Sequence, residues 1–238
     1  MRKIKERNME IKSLSDERLV MINPLVEGFY DNVLCKYKAI TYDGVDFLEA
    51  VDEVKHSNVA PFWRPIFDPA YNGEGIVFKK NLVPAVGYSF EWWKTESDKM
   101  SPVEGKKWKL GSNFQYIAFL VWLINSLVEF GWTIEDAVNS VLDSKVFGRY
   151  GHSVYNVKTE DWEIKSLSST GRHEICGIYD LTNTRKILCF ADEGRCYSHW
   201  IAGPNEDSLY GGVAKFEAFG AGNRDFIHGL GVGWLVLA

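Results

Sequence analysis

The amino-acid sequence predicts a mixed α+β fold with many loops and few long helices. Short β-type segments broken by turn residues occupy 37–90, two helical patterns follow each other between 112 and 142, and an apolar strand pattern closes the chain at 231–237. In addition, 14% of the residues are aromatic and 21 are glycine. This combination is typical of irregular loops that are held in place by large rings.

The first hundred residues contain no long periodic segment. Residues 1–20 are polar and predict an arm that docks on another surface. Strands and loops are expected from 37 to 90, including a hairpin in which 76–78 pairs with 83–88 across a short polar turn. The stretch 97–109 is expected to be an exposed loop.

The first predicted helix has a clear start and end. Ser112 is followed three residues later by Gln115, which is a capping-box pattern. Apolar residues between 117 and 128 recur on one helical face, and Gly131 supplies a stop signal.

A second helix is predicted immediately afterwards. Thr133 is its expected N-cap, the first turn is acidic, and an apolar stripe runs through 134–142. The two helices should form a helical hairpin or corner. After Gly148 regular periodicity is lost, and only 231–237 again predicts a buried strand.

Composition favours a globular protein and excludes several partners. Hydrophobic residues make up 46% of the chain and charged residues 25%, which is enough for a real core. The net charge of −5 argues against nucleic-acid binding, which depends on lysine and arginine at the phosphates. No secretory signal or stretch of about 18 apolar residues is found, so neither standard export nor membrane insertion is expected.

The usual catalytic and metal-binding patterns are also missing from the sequence. The histidines are scattered, the cysteines lack CxxC spacing, and no GxSxG, P-loop, GxGxxG or HExxH motif occurs. Cys176 follows His173 closely, but its apolar neighbours favour a buried, inert thiol. Asn205, Glu206 and Asp207 could contribute to a calcium site or form a solvated turn. We therefore expect no catalytic residue, metal or cofactor.

The stretch from 195 to 229 is the candidate ligand-binding surface. It mixes tyrosine, phenylalanine, histidine, arginine, aspartate, serine and glycine, which are the residue types that binding loops favour. Aromatic rings give a large contact area, and small polar residues give adaptable hydrogen bonds. A plain surface loop is the alternative explanation.

Three segments together resemble a known family. They are Trp132–Ala137 (WTIEDA), Gly177–Thr184 (GIYDLTNT) and Gly231–Leu237 (GVGWLVL). In this order they resemble the C-type lectin fold in its formylglycine-generating-enzyme-like branch, and within it the variable proteins of diversity-generating retroelements. The resemblance covers about 105–238. It implies an α+β, C-type lectin-like fold with two helices packed on a small twisted antiparallel sheet and long irregular loops.

The same resemblance implies which positions vary. In such proteins diversity arises chiefly at asparagine codons ending in a pyrimidine, so diversified positions cannot become Lys, Glu, Gln, Met or Trp. Trp200, Glu206, Lys215 and Glu217 would then belong to the scaffold. The positions permitted to vary are Tyr197, Ser198, His199, Asp207, Ser208, Tyr210, Ala218, Phe219, Arg224, Asp225, Phe226, Ile227 and His228.

Two other functions remain as alternatives at this point. Sulfatase-activating enzymes of the broader family need cysteines late in the chain, which Cys189 and Cys196 do not clearly reproduce; an oxidase of that type is one alternative. Calcium-dependent sugar binding would call for a Glu-Pro-Asn motif, and Gly203-Pro204-Asn205 supplies only part of it. A fixed structural phage component is the other alternative.

The resulting prediction divides the chain near residue 100. Residues 1–100 would be a region of strands and loops used for oligomerisation or docking, or else continuous with the following domain. Residues 101–238 would be the ligand-binding domain, with its variable region at about 195–229. The expected partner is a protein or cell-surface ligand, a homo-oligomer is one possible assembly, and a phage particle or bacterial surface is the expected location.

Overall fold

The computed structural model describes most of the first 142 residues and selected segments after them. The described ranges are 11–14, 17–36, 41–42, 45–142, 152–156, 161–165, 176–179, 185–189, 199–202, 216–219 and 231–238. The helices in these ranges are α1 (Asp31–Lys36), α2 (Phe47–His56), α3 (Phe90–Lys99), α4 (Asn113–Glu129) and α5 (Ile134–Leu142).

Short strands alternate with these helices. They are β1 (Ile11–Leu14), β2 (Glu17–Ile22), β3 (Thr41–Tyr42), β4 (Val45–Asp46), β5 (Phe62–Pro65), β6 (Ala70–Tyr71), β7 (Ile76–Val77), β8 (Trp108–Leu110), β9 (His152–Asn156), β10 (Asp161–Lys165), β11 (Arg185–Cys189), β12 (His199–Ala202), β13 (Phe216–Phe219), β14 (Gly231–Gly233) and β15 (Leu235–Leu237). The chain is therefore α+β, as predicted.

A five-stranded sheet with the order β1-β2-β5-β15-β8 forms the centre of the fold. Each neighbouring pair in it is antiparallel. In the register, Leu237 lies opposite Trp63 on one side and opposite Trp108 on the other. Strands from both sides of residue 100 therefore share one sheet, and the last strand of the chain lies inside it.

Apolar layers cover both faces of this sheet. Val20, Phe62 and Val236 belong to the core cluster that contains α4, whereas Leu19 and Trp63 belong to a second cluster that contains buried residues of α3. Successive residues of a strand point to opposite faces, so adjacent residues enter different clusters. Burial on both faces explains why β15 is continuously apolar.

A second sheet extends from the first. Its four strands have the order β13-β12-β11-β14, with antiparallel pairs except for β11 and β14, which run parallel. The predicted terminal strand is thus confirmed, but it is divided: β14 belongs to the second sheet, β15 belongs to the first, and the buried Trp234 stands between them.

The long helix α4 is confirmed together with its cap. The Ser112 hydroxyl accepts the Gln115 N–H at 3.1 Å, and the Gln115 side chain accepts the Ser112 N–H at 3.0 Å. The helix is buried on nearly all sides, not on one face alone. Contacts with α2, α5 and the sheet account for this, because they surround α4 from several directions. No helix within the described ranges is long and apolar enough to cross a membrane.

The corner between α4 and α5 also agrees with the sequence. Gly131 has a φ of 95°, which favours glycine at the end of a helix. The Thr133 hydroxyl then accepts the Asp136 N–H at 3.0 Å, so Thr133 caps the start of α5.

Two local predictions for the first 110 residues were wrong, and a third had its ends misplaced. The helix α2 occupies 47–56, where strands and loops were expected. The strand β7 pairs with β6 and not with 83–88. The expected exposed loop at 97–109 is confirmed between α3 and β8, but its first residues belong to α3 and its last to β8. Tertiary packing decides the pairing of a strand as short as β7, whereas Phe47, Val51 and Val54 recur at helical spacing, so the sequence does carry a signal for α2.

Two glycines allow tryptophans to approach the backbone closely. A Cβ atom on Gly111 would lie 2.2 Å from the Trp234 ring, and one on Gly233 would lie 2.4 Å from the Trp93 ring. Trp93 and Trp234 are 0% and 2% exposed, so neither ring has free space into which it could move. The absence of a side chain at these two positions is therefore a packing requirement.

We expect Gly111→Ala and Gly233→Ala each to lower the free energy of unfolding by about 1–3 kcal/mol, because the added methyl group overpacks the core. Urea denaturation followed by tryptophan fluorescence would measure the loss. Gly75→Ala is the matched control, since a Cβ there meets nothing within 4 Å and φ is not positive. Equal stability of all three variants would contradict this packing.

Candidate functional site

The described residues include only part of the predicted variable surface. His199 lies in β12, and Ala218 and Phe219 lie in β13. The other permitted positions lie outside the described residues: Tyr197, Ser198, Asp207, Ser208, Tyr210, Arg224, Asp225, Phe226, Ile227 and His228.

The pairing of β12 with β13 brings the three described positions together. His199 lies opposite Phe219, and Trp200 lies opposite Ala218. Directly opposed residues of antiparallel strands have Cα atoms about 4.5–5.5 Å apart. Two positions permitted to vary are thus cross-strand neighbours, while the third faces a position that was assigned to the scaffold.

Strand β11 connects this strand pair to the core. Leu188 is fully buried, and the Cys189 N–H donates to the Gly111 carbonyl oxygen at 2.9 Å. On its other side, β11 pairs with β14, in which Val232 is fully buried.

The chain therefore leaves and re-enters the core at neighbouring strands. It departs after Cys189 and returns at Gly231, which lies opposite Arg185. Four residues of strand separate Arg185 from Cys189, a distance of about 13 Å. Residues 190–230 thus connect two adjacent strands of the second sheet, and the described segments within them, β12 and β13, belong to that same sheet.

An aromatic cluster on another part of the surface was not predicted. Its members are Tyr71, Tyr88 and Trp92; Tyr88 stacks on Trp92 with ring centroids 3.7 Å apart, and Tyr71 meets Trp92 edge-on at 5.4 Å. Tyr71 is 39% exposed, and the other two are half-buried. Tyr88 precedes Ser89, the N-cap of α3, so Tyr88 and Trp92 are not a pair on one helical face, and the sequence carries no periodic signal for their stacking.

A small cavity lies beside the start of α1. It has a volume of about 220 Å³, which is below the usual range of roughly 300–1,000 Å³ for ligand pockets. Lys55 and Asp31 form an ion pair of 2.9 Å at this cavity and are both partly exposed. The lining residues are Pro24, Leu25, Val26, Gly28, Phe29, Tyr30, Asp31, Lys55, Asn58 and Val59.

Arg64 and Asp68 carry the most deeply buried charges among the described residues. They approach to 3.6 Å with both side chains 2% exposed, and the Arg64 guanidinium lies 4.6 Å from the centre of the Phe119 ring. Burial raises the pKa of the nearby Tyr116 phenol, and Arg64 partly opposes that shift. This ion pair therefore lies where β5 packs against α4.

The cysteines and acidic residues considered for chemistry are only partly described. Cys176 and Cys189 are half-buried thiols, whereas Cys196 and the acidic run 205–207 lie outside the described residues. Among the described residues, no group of three or more histidine, cysteine or carboxylate side chains is arranged to hold a metal ion.

No protein-family model matches this chain, and none of the curated proteins compared with it gives a significant match. Functional inference therefore rests on the residues and geometry of the chain itself.

Tyr30 gives a pH-dependent test of the packing beside the cavity. Burial raises the pKa of its phenol from 10.0 to about 12, so the folded state holds this proton more tightly than the unfolded state does. The corresponding stabilisation is complete below pH 10 and is lost as the pH rises from 10 to 12.

We expect Tyr30→Phe to reduce this alkaline loss of stability. At pH 7 the variant should be at least as stable as the parent, because the Tyr30 hydroxyl is buried without a hydrogen-bond partner among the described residues. Urea unfolding at pH 7, 10 and 11.5 would test both statements. Part of the alkaline loss of stability should persist in the variant, because burial also raises the pKa of Tyr116. An unchanged pH dependence would show that Tyr30 does not contribute.

Proposed function

We propose that this chain is a ligand-recognition protein that presents side chains from about 195–229 on a C-type lectin-like scaffold. The ligand would be a protein or another molecule of a cell surface, and the protein itself would belong to a phage particle or a bacterial surface. The proposal depends on one observation: the segment 190–230 begins after Cys189 and ends before Gly231, and these residues lie in adjacent, paired strands.

A segment that connects two anchored, adjacent strands can change its sequence at little cost to the stability of the core. Leu188 and Val232, near its two ends, are fully buried, and the Cys189 N–H is bonded to the Gly111 carbonyl oxygen. These contacts hold the ends of 190–230 whatever side chains lie between them. Recognition surfaces commonly combine such a rigid base with variable connecting segments.

The segments that carry the family resemblance support the scaffold part of the proposal. Ala137 in α5, Ile178 and Trp234 are all buried and belong to the same core cluster. In addition, the Tyr179 N–H donates to the Ile66 carbonyl oxygen at 2.8 Å, which ties the second segment to the region after β5. Segments far apart in sequence thus form one packed unit.

The cross-strand pair His199 and Phe219 supports the recognition part. Both are among the positions that the family resemblance permits to vary, and the register places them directly opposite each other. Substitutions at two such positions would act on one small area of the sheet. A ligand contacting that area would therefore sense both changes together.

We expect substitutions within residues 190–230 to change the free energy of unfolding little. Tyr210→Ala and Phe226→Ala should alter the free energy of unfolding by no more than about 0.5 kcal/mol, because the proposal assigns both positions to a surface that tolerates substitution. Leu120→Ala, at a fully buried position of α4, should cost about 2–5 kcal/mol. Urea denaturation would compare the three, and a loss at Phe226 as large as that at Leu120 would exclude a tolerant surface.

A display library gives the functional test. Randomising the permitted positions from 197 to 228 should leave most clones resistant to proteolysis, and selection on a defined probe protein such as lysozyme should enrich binders. A matched control library randomises the exposed α2 positions Glu49, Asp52, Glu53, Lys55 and His56. Binders arising equally from both libraries, or widespread unfolding of the first, would contradict the proposal.

The origin of the diversity can be tested separately in DNA. Sequencing the region that flanks the gene should reveal a near-copy of the 3′ coding end, differing at adenines, beside a reverse-transcriptase frame. If this is not found, the retroelement part of the proposal fails, whereas recognition by a fixed surface would still be decided by the library.

A further inference from the structure

Two exposed apolar surfaces carry opposite charges. We define the basic patch as Lys79, Lys80, Leu82 and Val83, and the acidic corner as Glu129, Phe130, Trp132 and Glu135. Every one of these eight side chains is exposed. Each surface thus combines two apolar side chains with two like charges.

The basic patch follows β7 directly. Leu82 and Val83 are 37% and 55% exposed. No acidic residue occurs between 76 and 86, so nothing within this segment neutralises the two lysines. The preceding residue, Phe78, stacks on Trp108 with centroids 4.9 Å apart, which fixes the segment beside β8.

The acidic corner lies at the junction of α4 and α5. Phe130 and Trp132 are 42% and 40% exposed. No lysine or arginine occurs between 125 and 138. The C-terminal end of α4 adds partial negative charge, and no basic side chain in its last turn compensates for it.

The two surfaces are attached to different ends of α4. Strand β8 leads through Gly111 and Ser112 into the start of the helix, whereas the acidic corner lies at its end. A helix of 17 residues is about 25 Å long. Because both surfaces are exposed, they do not cover each other within one chain.

Surface regions where exposed apolar side chains are grouped are interaction sites more often than regions without such groups. Tryptophan and other aromatic residues are enriched at the centres of protein interfaces, and opposite charges around them set the orientation of the partner. A partner of the basic patch must offer apolar groups surrounded by carboxylates. The acidic corner of a second copy has this chemistry.

We propose that copies of this chain associate head to tail, with the basic patch of one copy docked on the acidic corner of the next. The contact is heterologous, so it generates a closed ring or an open chain of copies, not a two-fold dimer. This assembly does not depend on the recognition function proposed above, because it uses none of residues 190–230.

Sedimentation velocity of the full chain over a range of concentrations gives the test. At about 20 mM salt the wild type should associate reversibly, and association should weaken at about 300 mM, where exposed charges are screened. Lys79→Glu with Lys80→Glu should weaken association at least about tenfold, and so should Glu129→Lys with Glu135→Lys. Thermal melts would verify that each variant folds.

Charge exchange distinguishes this contact from a general charge effect. An equimolar mixture of the two double variants should associate again, because each then carries the complement of the other, and the variant with all four changes should also recover. Glu49→Lys with Glu53→Lys, on the exposed face of α2, changes the net charge by the same amount and sign as Glu129→Lys with Glu135→Lys, so it is the control for that variant and should retain association.

The proposal is overturned if the wild type stays monomeric at about 200 μM in low salt, or if the control weakens association as much as Glu129→Lys with Glu135→Lys does. Failure of the mixture to associate would also overturn it. Should a reversed variant not fold, Lys79→Gln with Lys80→Gln removes the charge more conservatively, and it must weaken association as well.

Discussion

The position of Trp234 is the constraint on which the rest of the structure depends. Its ring is 2% exposed and meets Phe62 of the sheet and Tyr116 and Phe119 of α4 within 6 Å. Its carbonyl oxygen accepts the Gly111 N–H at 2.8 Å. One residue near the end of the chain therefore joins the sheet, the long helix and the segment that leads into that helix.

The same position divides the end of the chain between two sheets. Before Trp234, β14 pairs with β11; after it, β15 completes the central sheet between β5 and β8. Movement of this residue would disturb both sheets at once. Residues 190–230 connect β11 with β14, the strand that leads directly into Trp234.

Part of the fold could be predicted because the signals were local. The cap formed by Ser112 and Gln115, the N-cap Thr133 and the stop at Gly131 act through neighbouring residues, so the sequence shows them directly. The helix α2 was missed although Phe47, Val51 and Val54 recur at helical spacing. The pairing of β7 with β6 could not be predicted from local signals, since strands of two residues are stabilised by distant partners. The aromatic cluster at Tyr88 and Trp92 was missed for a related reason, because exposure is not visible in a sequence.

The sequence by itself determined the fold class, the two helices around Gly131 and the apolar nature of the final strand, because periodicity and capping are properties of neighbouring residues. Only the tertiary structure decided that this strand lies inside a sheet built mainly from earlier residues, that it serves two sheets, and that Gly111 and Gly233 must lack side chains. These features depend on contacts between residues far apart in sequence. Close packing sets the position of each ring, and packing is a property of the folded chain alone.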